Sequence, residues 1–157
     1  MVQVEIDERF INQLKDKLIK DKVSKTVVGA AIFKQDKILL LRRASGEFME
    51  GLVELPSGAV DPEEGILDAL VREVKEETDL EVISIRNYID CFDYVTGYGK
   101  KTRQFNFIIE VVGDVKVNLK EHDRYYWVSP SSSDFEQLYV SKNTRDIIHQ
   151  AEHLRLS

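Results

Sequence analysis

Three glutamates are spaced so that their carboxylates share one face of a helix. The segment Ile66–Thr78 has the apolar periodicity of an amphipathic helix. A helix turns about 100° per residue, so Glu73, Glu76 and Glu77 at i, i+3 and i+4 converge. Like charges at this spacing repel by a few tenths of a kcal/mol per pair. A divalent cation would offset that repulsion, and Mg²⁺ is usually held by a few carboxylates together with substrate phosphates, so the spacing indicates metal-assisted phosphate chemistry.

The residues around these glutamates extend the pattern into a longer motif. Short acidic runs are common on solvated helix faces, and on their own they favour a surface role without chemistry. In this chain, however, Gly58 is followed after five residues by Glu64 and after seven more by the run Arg72–Glu77, and Leu80 closes the segment. This spacing resembles the Nudix box, G-x5-E-x7-R-E-U-x-E-E-x-G-U, in which U is an aliphatic residue. The residues before the box also resemble the family's usual lead-in, and the resemblance covers residues 27–128.

One position departs from the box, because Asp79 stands where the family has its late glycine. That glycine follows the end of the helix, where a left-handed backbone is favoured, and aspartate is among the few other residues that adopt it. An acid at a helix C-terminus costs roughly 0.3 to 1 kcal/mol when exposed. We expect this cost to fall on stability rather than on the metal site. Two smaller departures are Ser57 and Glu63, each of which replaces a frequent glycine.

The resemblance implies a fold and a domain organisation. It implies an α/β protein with the Nudix α/β/α sandwich, a mixed β-sheet and, in this chain, an added N-terminal helix. We expect residues 1–157 to form a single Nudix hydrolase domain, with residues 1–24 as a helical extension and the box at residues 58–80. The length of the chain is that of one ordinary domain with one core.

The resemblance also implies a role for the fixed residues of the box. The implied metal ligands, which include the catalytic glutamates of the box, are Glu73, Glu76, Glu77 and the carbonyl of Gly58. The implied cofactor is Mg²⁺, with Mn²⁺ as a substitute. Arg72 is implied to pair with Glu64 and to hold the box in shape. The implied reaction is the attack of water on a phosphorus of a diphosphate, with the metal lowering the pKa of the water.

Residues outside the box are expected to complete the site. A carboxylate must accept the proton of the attacking water, and the two candidates are Glu73 in the box and Glu121 downstream of it. We predict that Glu121 is this base or an extra metal ligand. Its neighbour His122 is expected to be a solvated histidine in a charged surface turn. Arg42 and Arg43, which close a strand as in many members of the family, are candidates for binding the substrate.

Hydrophobic periodicity predicts the elements that carry these residues. Helical spacing predicts helices at Asp7–Asp21, with Asp7 as the N-cap, at Ile66–Thr78 and at Lys142–Leu154. The apolar stripe of the first helix fits packing on the domain better than a dimer contact. Apolar runs bounded by turn residues predict six strands: Thr26–Phe33, Ile38–Arg43, Val82–Val95, Arg103–Val112, Val115–Leu119 and Tyr125–Val128.

The negative charge of the chain is concentrated in the same region. The formal net charge is −6, and the stretch Glu54–Asp79 alone holds nine acidic residues against two basic ones. The rest is close to neutral, so no basic surface for a nucleic-acid backbone is expected. No apolar run approaches the roughly 20 residues that cross a bilayer, and the first residues lack the layout of a signal peptide. We therefore expect a cytoplasmic protein, monomeric or homodimeric, with no nucleic-acid or membrane partner.

The substrate is expected to be a small nucleotide, selected by residues outside the box. The family's ADP-ribose hydrolases tend to carry a proline downstream of the box, where this chain has Val95 and Thr96. Its dinucleoside polyphosphate hydrolases tend to carry a tyrosine, and Tyr98 fits that position. The leading expectation is a nucleoside triphosphate, including noncanonical or oxidised forms, that is cut to the monophosphate. Dinucleoside polyphosphates come second, and ADP-ribose or a nucleotide sugar third.

A different class of function would be a sensor that binds nucleotides without cleaving them. Nudix-like sensors are usually fused to a DNA-binding domain, and this chain has no room for one. A sensor is also free to lose the carboxylates of the box, which are all present here. An enzyme is therefore expected.

Overall fold

The protein is built on an eight-stranded sheet with helices on both faces. The computed structural model describes all 157 residues. The strands are β1 (Gln3–Val4), β2 (Lys25–Lys34), β3 (Lys37–Arg43), β4 (Val53–Glu54), β5 (Ser57–Ala59), β6 (Glu81–Thr96), β7 (Lys100–Val112) and β8 (His122–Val128). Their order is β1-β6-β7-β2-β3-β4, with β5 paired to β2 and β8 paired to β3. The pairs β1–β6 and β2–β7 are parallel and the others antiparallel, so the predicted mixed sheet is confirmed.

Alternation along the central strands explains why both faces are covered. In β3, Leu39 and Leu41 join the apolar cluster on one face, whereas Ile38 and Leu40 join the cluster on the other. Successive side chains of a strand point to opposite faces, so four consecutive apolar residues make a strand that is buried on both sides. All four are fully buried.

The helices divide between the two faces. They are α1 (Glu8–Lys20), α2 (Ile66–Thr78), α3 (Ser133–Glu136) and α4 (Lys142–Arg155). Residues of α1 and α2 belong to one apolar cluster, and residues of α3 and α4 belong to the other. This layering is the expected α/β/α sandwich. Every helix falls short of the length and apolarity that a bilayer span requires.

The N-terminal helix packs on the sheet, as its apolar stripe predicts. The Asp7 side chain accepts a hydrogen bond from the backbone N–H of Arg9, which caps the first turn of α1. Ile11 and Leu14 are buried in the core. The Phe10 ring lies 5.0 Å from the ring of Tyr88 in β6.

Some elements differ from the prediction. The segment Val115–Leu119 is not a strand; it is an irregular segment that leads into a turn and is held by a hydrogen bond from Lys116 N–H to Thr78 O at 2.9 Å. Val115 and Val117 pack against the core, which accounts for their alternation with polar residues. The short strands β1, β4 and β5 and the single-turn helix α3 are not in the sequence prediction, because elements of two to four residues carry no periodic signal.

The box helix α2 has the predicted bounds, and it ends, as predicted, with Asp79 in a left-handed backbone conformation. Asp79 has φ 63° and lies in the left-handed region, where its N–H donates to Lys75 O at 3.0 Å. The Lys75 ammonium lies 3.2 Å from the Asp79 carboxylate, which offsets part of the unfavourable charge at this end of the helix.

Replacing Asp79 by glycine should raise the free energy of unfolding by up to about 1 kcal/mol. The left-handed backbone costs an aspartate more than a glycine, and the exposed ion pair with Lys75 returns little of that cost. Chemical denaturation of the two proteins measures the difference. A glycine variant that is less stable than the parent would mean that the Lys75 pair outweighs the backbone strain.

Candidate active site

A cleft of about 410 Å³ opens where the box helix meets the sheet. Its lining comes from α2, from strands β2 to β6, from β8 and from two loop segments next to β3 and β8. Five carboxylates line this space, from the loop after β3, from β4, from α2 and from the turn before β8: Glu47, Glu54, Glu73, Glu77 and Glu121. Such a concentration of negative charge in one cleft requires positive charge to offset it.

Glu77 is the most buried of these acids, with 6% of its surface exposed. Its Oε1 accepts a hydrogen bond from the backbone N–H of Ser57 at 2.7 Å, which ties the end of α2 to β5. Burial raises the pKa of Glu77 to about 9, and the neighbouring Glu54, Glu73 and Glu121 push it in the same direction. In the absence of a cation this carboxyl group is therefore held in its protonated form near neutral pH.

Gly58 and Glu73 lie so close that a side chain at position 58 would require the Glu73 carboxyl group to move. A Cβ atom added to Gly58 would overlap the carboxyl group of Glu73. Burial raises the pKa of Glu73; Arg72 opposes this shift, while Glu76 and Glu121 reinforce it. The glycine at this position thus makes room for the carboxylate beside the β5 backbone.

Arg72 and Glu64 form the ion pair that the motif predicts. The Arg72 guanidinium meets the Glu64 carboxylate through two hydrogen bonds, Nε to Oε2 and Nη2 to Oε1, each 2.8 Å long. Nη2 also donates to the carbonyl of Ala59 at 2.9 Å. The Arg72 hydrogen bonds, with one from the Asp61 N–H, lower the pKa of Glu64 to about 2. These contacts fasten α2 to the loop that precedes it and to β5.

Two of the residues predicted to bind the metal or the substrate, Glu76 and Arg42, lie outside the lining of the cleft. The Glu76 side chain is 57% exposed, and its Oε2 accepts a hydrogen bond from Arg72 Nη1 at 3.2 Å. The Arg42 Nε atom lies 2.8 Å from the carboxylate of Asp123 on the surface. Arg43, by contrast, faces the cleft.

Arg43, Glu54 and His122 form a network that the sequence does not reveal. The Arg43 guanidinium holds the Glu54 carboxylate through Nε and Nη2, at 3.1 and 2.9 Å. His122 Nε2 lies 3.0 Å from Glu54 Oε2. Burial on its own would raise the pKa of Glu54, but the hydrogen bonds from His122 and Arg43 outweigh it, so the pKa of Glu54 is lowered.

The expectation that His122 is a solvated surface histidine is wrong. His122 is the first residue of β8, is 3% exposed and lines the cleft. The sequence signal misleads because the neighbours of His122 are charged: Lys120 and Glu121 form a turn, and Asp123 is exposed in β8. Because β8 begins at His122 and successive side chains of a strand point to opposite faces, the His122 side chain points into the cleft while that of Asp123 points to solvent.

Comparison with known proteins places these features in a family. The model of the NUDIX domain matches residues 23–150 of this chain, which include the whole of the box and the cleft. The chain belongs to the Nudix family. Its mixed sheet with helices on both faces is the Nudix fold, and the family uses a divalent metal.

Relatives of this Nudix protein include named enzymes. The CTP pyrophosphohydrolase of Escherichia coli is 44% identical over 111 residues, which cover 68% of this chain and 77% of that protein. The ADP-ribose pyrophosphatase of Methanocaldococcus jannaschii is 45% identical over 53 residues, which are 34% of this chain and 31% of that protein. The solved MutT protein of Methanosarcina mazei has a TM-score of 0.73 and 27% identity, covering 85% of this chain and 96% of that chain. The protein is thus a Nudix pyrophosphohydrolase.

The cleft of this Nudix protein is lined by basic and aromatic groups as well as by acids. Lys25 and Arg43 supply positive charge, and Phe48 and Tyr94 supply aromatic rings. The positive charges can bind phosphates, and a nucleobase can stack on the aromatic rings. The cleft therefore combines groups that can bind phosphates and a nucleobase with carboxylates that suit a divalent cation.

Proposed function

We propose that this protein hydrolyses a nucleoside triphosphate, including noncanonical or oxidised forms, to the monophosphate in a Mg²⁺-dependent reaction. The observation that carries this proposal is the cluster of carboxylates around the buried Glu77. A polyphosphate cannot approach such a cluster unless a cation lies between them. The similarity to a CTP pyrophosphohydrolase over 111 residues supports a nucleoside triphosphate as the substrate.

The donors in the cleft fit a hard divalent cation. In the proposal Glu73, Glu77 and the carbonyl of Gly58, which line the cleft, hold Mg²⁺ together with Glu76, which reaches it from outside the lining, and Mn²⁺ can replace Mg²⁺. All four are oxygen donors, which Mg²⁺ prefers. The close packing of Glu73 on Gly58 and the high pKa of the metal-free Glu77 support this assignment. When bound, the cation supplies charge that neutralises the diphosphate and lowers the pKa of water.

Other groups of the cleft orient the substrate, and a carboxylate accepts the proton of the attacking water. We assign Arg43, with Lys25 beside the same cleft, to the phosphates, because a guanidinium matches phosphate oxygens in pairs. Glu121 or Glu73 accepts the proton of the water that attacks phosphorus, as the bridging P–O bond breaks. Arg72 and Glu64 keep α2 in register with the preceding loop through their paired hydrogen bonds and take no part in the reaction.

A panel of substrates tests the proposal. Release of pyrophosphate or phosphate is measured for nucleoside triphosphates, dinucleoside polyphosphates and ADP-ribose, each with Mg²⁺, with Mn²⁺ and with chelator. We expect chelator-sensitive conversion of a nucleoside triphosphate to the monophosphate. ADP-ribose is the second candidate because of the shorter match to an ADP-ribose pyrophosphatase. If the protein prefers ADP-ribose, the proposed substrate is wrong. Absence of metal-dependent cleavage of every compound would overturn the proposed activity.

A further inference from the structure

His122 presents one ring nitrogen that no hydrogen bond explains. Its side chain is 4% exposed, and Nε2 is occupied by Glu54 Oε2 at 3.0 Å. Glu54 is a carboxylate that Arg43 also holds, so it can only accept, and Nε2 must carry the proton of this hydrogen bond. The other nitrogen, Nδ1, is buried and has no hydrogen-bond partner.

The unpartnered Nδ1 faces carboxylates. Its nearest acidic atom is Glu77 Oε2, 3.9 Å away, which is too far for a hydrogen bond. A proton on Nδ1 would leave a buried donor without an acceptor, and a lone pair on Nδ1 would leave a buried acceptor without a donor. A cation bound between Nδ1 and the Glu77 carboxylate would accept the lone pair of Nδ1. Glu77, Glu121 and His122 each offer one ligand atom, and these atoms lie within 4.8 Å of one another.

We propose that His122 Nδ1 is a metal ligand and that, with Glu77 and Glu121, it forms a mixed nitrogen and oxygen site for a divalent transition-metal ion. The site deepens the proposed hydrolysis and rests on it, because Glu77 also belongs to the all-oxygen site for Mg²⁺. Imidazole suits transition-metal ions, whereas Mg²⁺ prefers oxygen ligands. The mixed site therefore takes Mn²⁺ or Co²⁺ in preference to Mg²⁺.

Glu54 and Arg43 position the proposed ligand. A histidine that binds a metal through one nitrogen usually donates its other N–H to a carboxylate, which fixes the orientation of the ring and makes the ligand more basic. The chain from Arg43 through Glu54 to His122 Nε2 has this arrangement. These two residues act through His122 and are positioning residues for the metal site.

Electron spin echo spectroscopy of the Mn²⁺-loaded full chain tests the proposal directly. Nitrogen bound to Mn²⁺ modulates the echo, and labelling histidine with ¹⁵N changes that modulation in a known way. The chain has three histidines, so variants identify the source. His122→Asn should abolish the nitrogen modulation and weaken Mn²⁺ binding by about 10- to 100-fold, while Glu54→Gln should weaken binding by about 10-fold. His153→Asn, on the exposed side of α4, is the matched control and should keep both.

The outcomes separate this site from the proposed activity. Histidine nitrogen modulation that disappears in His122→Asn supports the site, even if the substrate panel finds no cleavage. Mn²⁺ bound by oxygen alone, or no Mn²⁺ bound at millimolar concentration, overturns it. If Mn²⁺ is bound by oxygen alone and the protein still shows chelator-sensitive hydrolysis of a nucleoside triphosphate, the proposed function is correct although the mixed site is not. The test on the unmodified chain does not depend on whether the His122 variant folds.

Discussion

Replacing Glu77 by glutamine should make the metal-free protein more stable while removing metal binding and hydrolysis. The Glu77 carboxyl group is 6% exposed and faces Glu54, Glu73 and Glu121. Burial, reinforced by the repulsion from these acids, raises the pKa of Glu77 to about 9. A glutamine has nearly the same shape and no charge, and its oxygen can still accept the Ser57 N–H, so it avoids both costs.

The pH dependence of stability separates this effect from an ordinary change in packing. A carboxyl group whose pKa is raised on folding binds its proton more tightly in the native state than in the unfolded chain. The free energy of unfolding therefore falls as the pH rises from the unfolded pKa of about 4.3 to the folded pKa of about 9. We expect the metal-free wild type to lose stability across this window. Glu77→Gln should lose less stability as the pH rises, and it should be more stable than the wild type at the upper end of this pH window.

Adding Mg²⁺ should reverse that order. An ion that binds only the native state stabilises it by about 2.7 kcal/mol when its concentration is 100 times its Kd. The variant lacks the Glu77 carboxylate that binds the ion, so it does not gain this stability. Its kcat/KM should fall at least about 100-fold, since even residues that support a metal ligand cost up to that factor. Glu136→Gln, an exposed carboxylate of α3 on the other face of the sheet, is the matched control. Equal Mg²⁺-induced shifts in melting temperature for Glu77→Gln and the wild type would contradict the assignment.

The sequence predicts the box helix well because its signals are local. Apolar periodicity sets the bounds of α2, and the i, i+3, i+4 spacing places the three glutamates on one side. The spacing does not predict how unequal they are. Glu76 and Glu77 are adjacent and thus lie about 100° apart around the helix, so a cleft that buries Glu77 leaves Glu76 near solvent. Which of the two faces inward depends on how α2 packs against the sheet.

The network behind the cleft could not be predicted because it depends on strand pairing. Glu54 and His122 are 68 residues apart and meet at 3.0 Å only because β4 and β8 both pair with β3. Glu54 lies opposite Leu41 and His122 opposite Arg43, after a register shift between Arg42 and Arg43. A shift of one residue would turn His122 to the other face of the sheet. No local pattern encodes such a register.

Replacing Arg43 by alanine should destabilise the protein and weaken substrate binding. The guanidinium makes two hydrogen bonds to the Glu54 carboxylate, and Nη1 donates to the carbonyl of Phe48 at 2.8 Å. The Glu54 side chain is 16% exposed, so removing its partner leaves a mostly buried charge that only His122 still contacts. Breaking a pair of this kind costs about 3 kcal/mol, which chemical denaturation can measure.

A second variant separates the loss of the pair from the loss of the substrate contact. Arg43→Ala combined with Glu54→Gln removes both charges, so most of the lost stability should return. The Michaelis constant should not recover in the same way. One lost charge-assisted hydrogen bond to a phosphate is worth about 1.5 kcal/mol, so KM should rise roughly 10-fold in the single and in the double variant.

The neighbouring arginine provides the comparison for both effects. Arg42 forms an exposed ion pair with Asp123 and lies outside the lining of the cleft. Arg42→Ala should leave the free energy of unfolding almost unchanged, because exposed ion pairs contribute little to stability. It should also raise KM less than Arg43→Ala does. If instead the two alanine variants raise KM equally, the phosphates are bound at the mouth of the cleft by both arginines, and Arg43 has no special place in it.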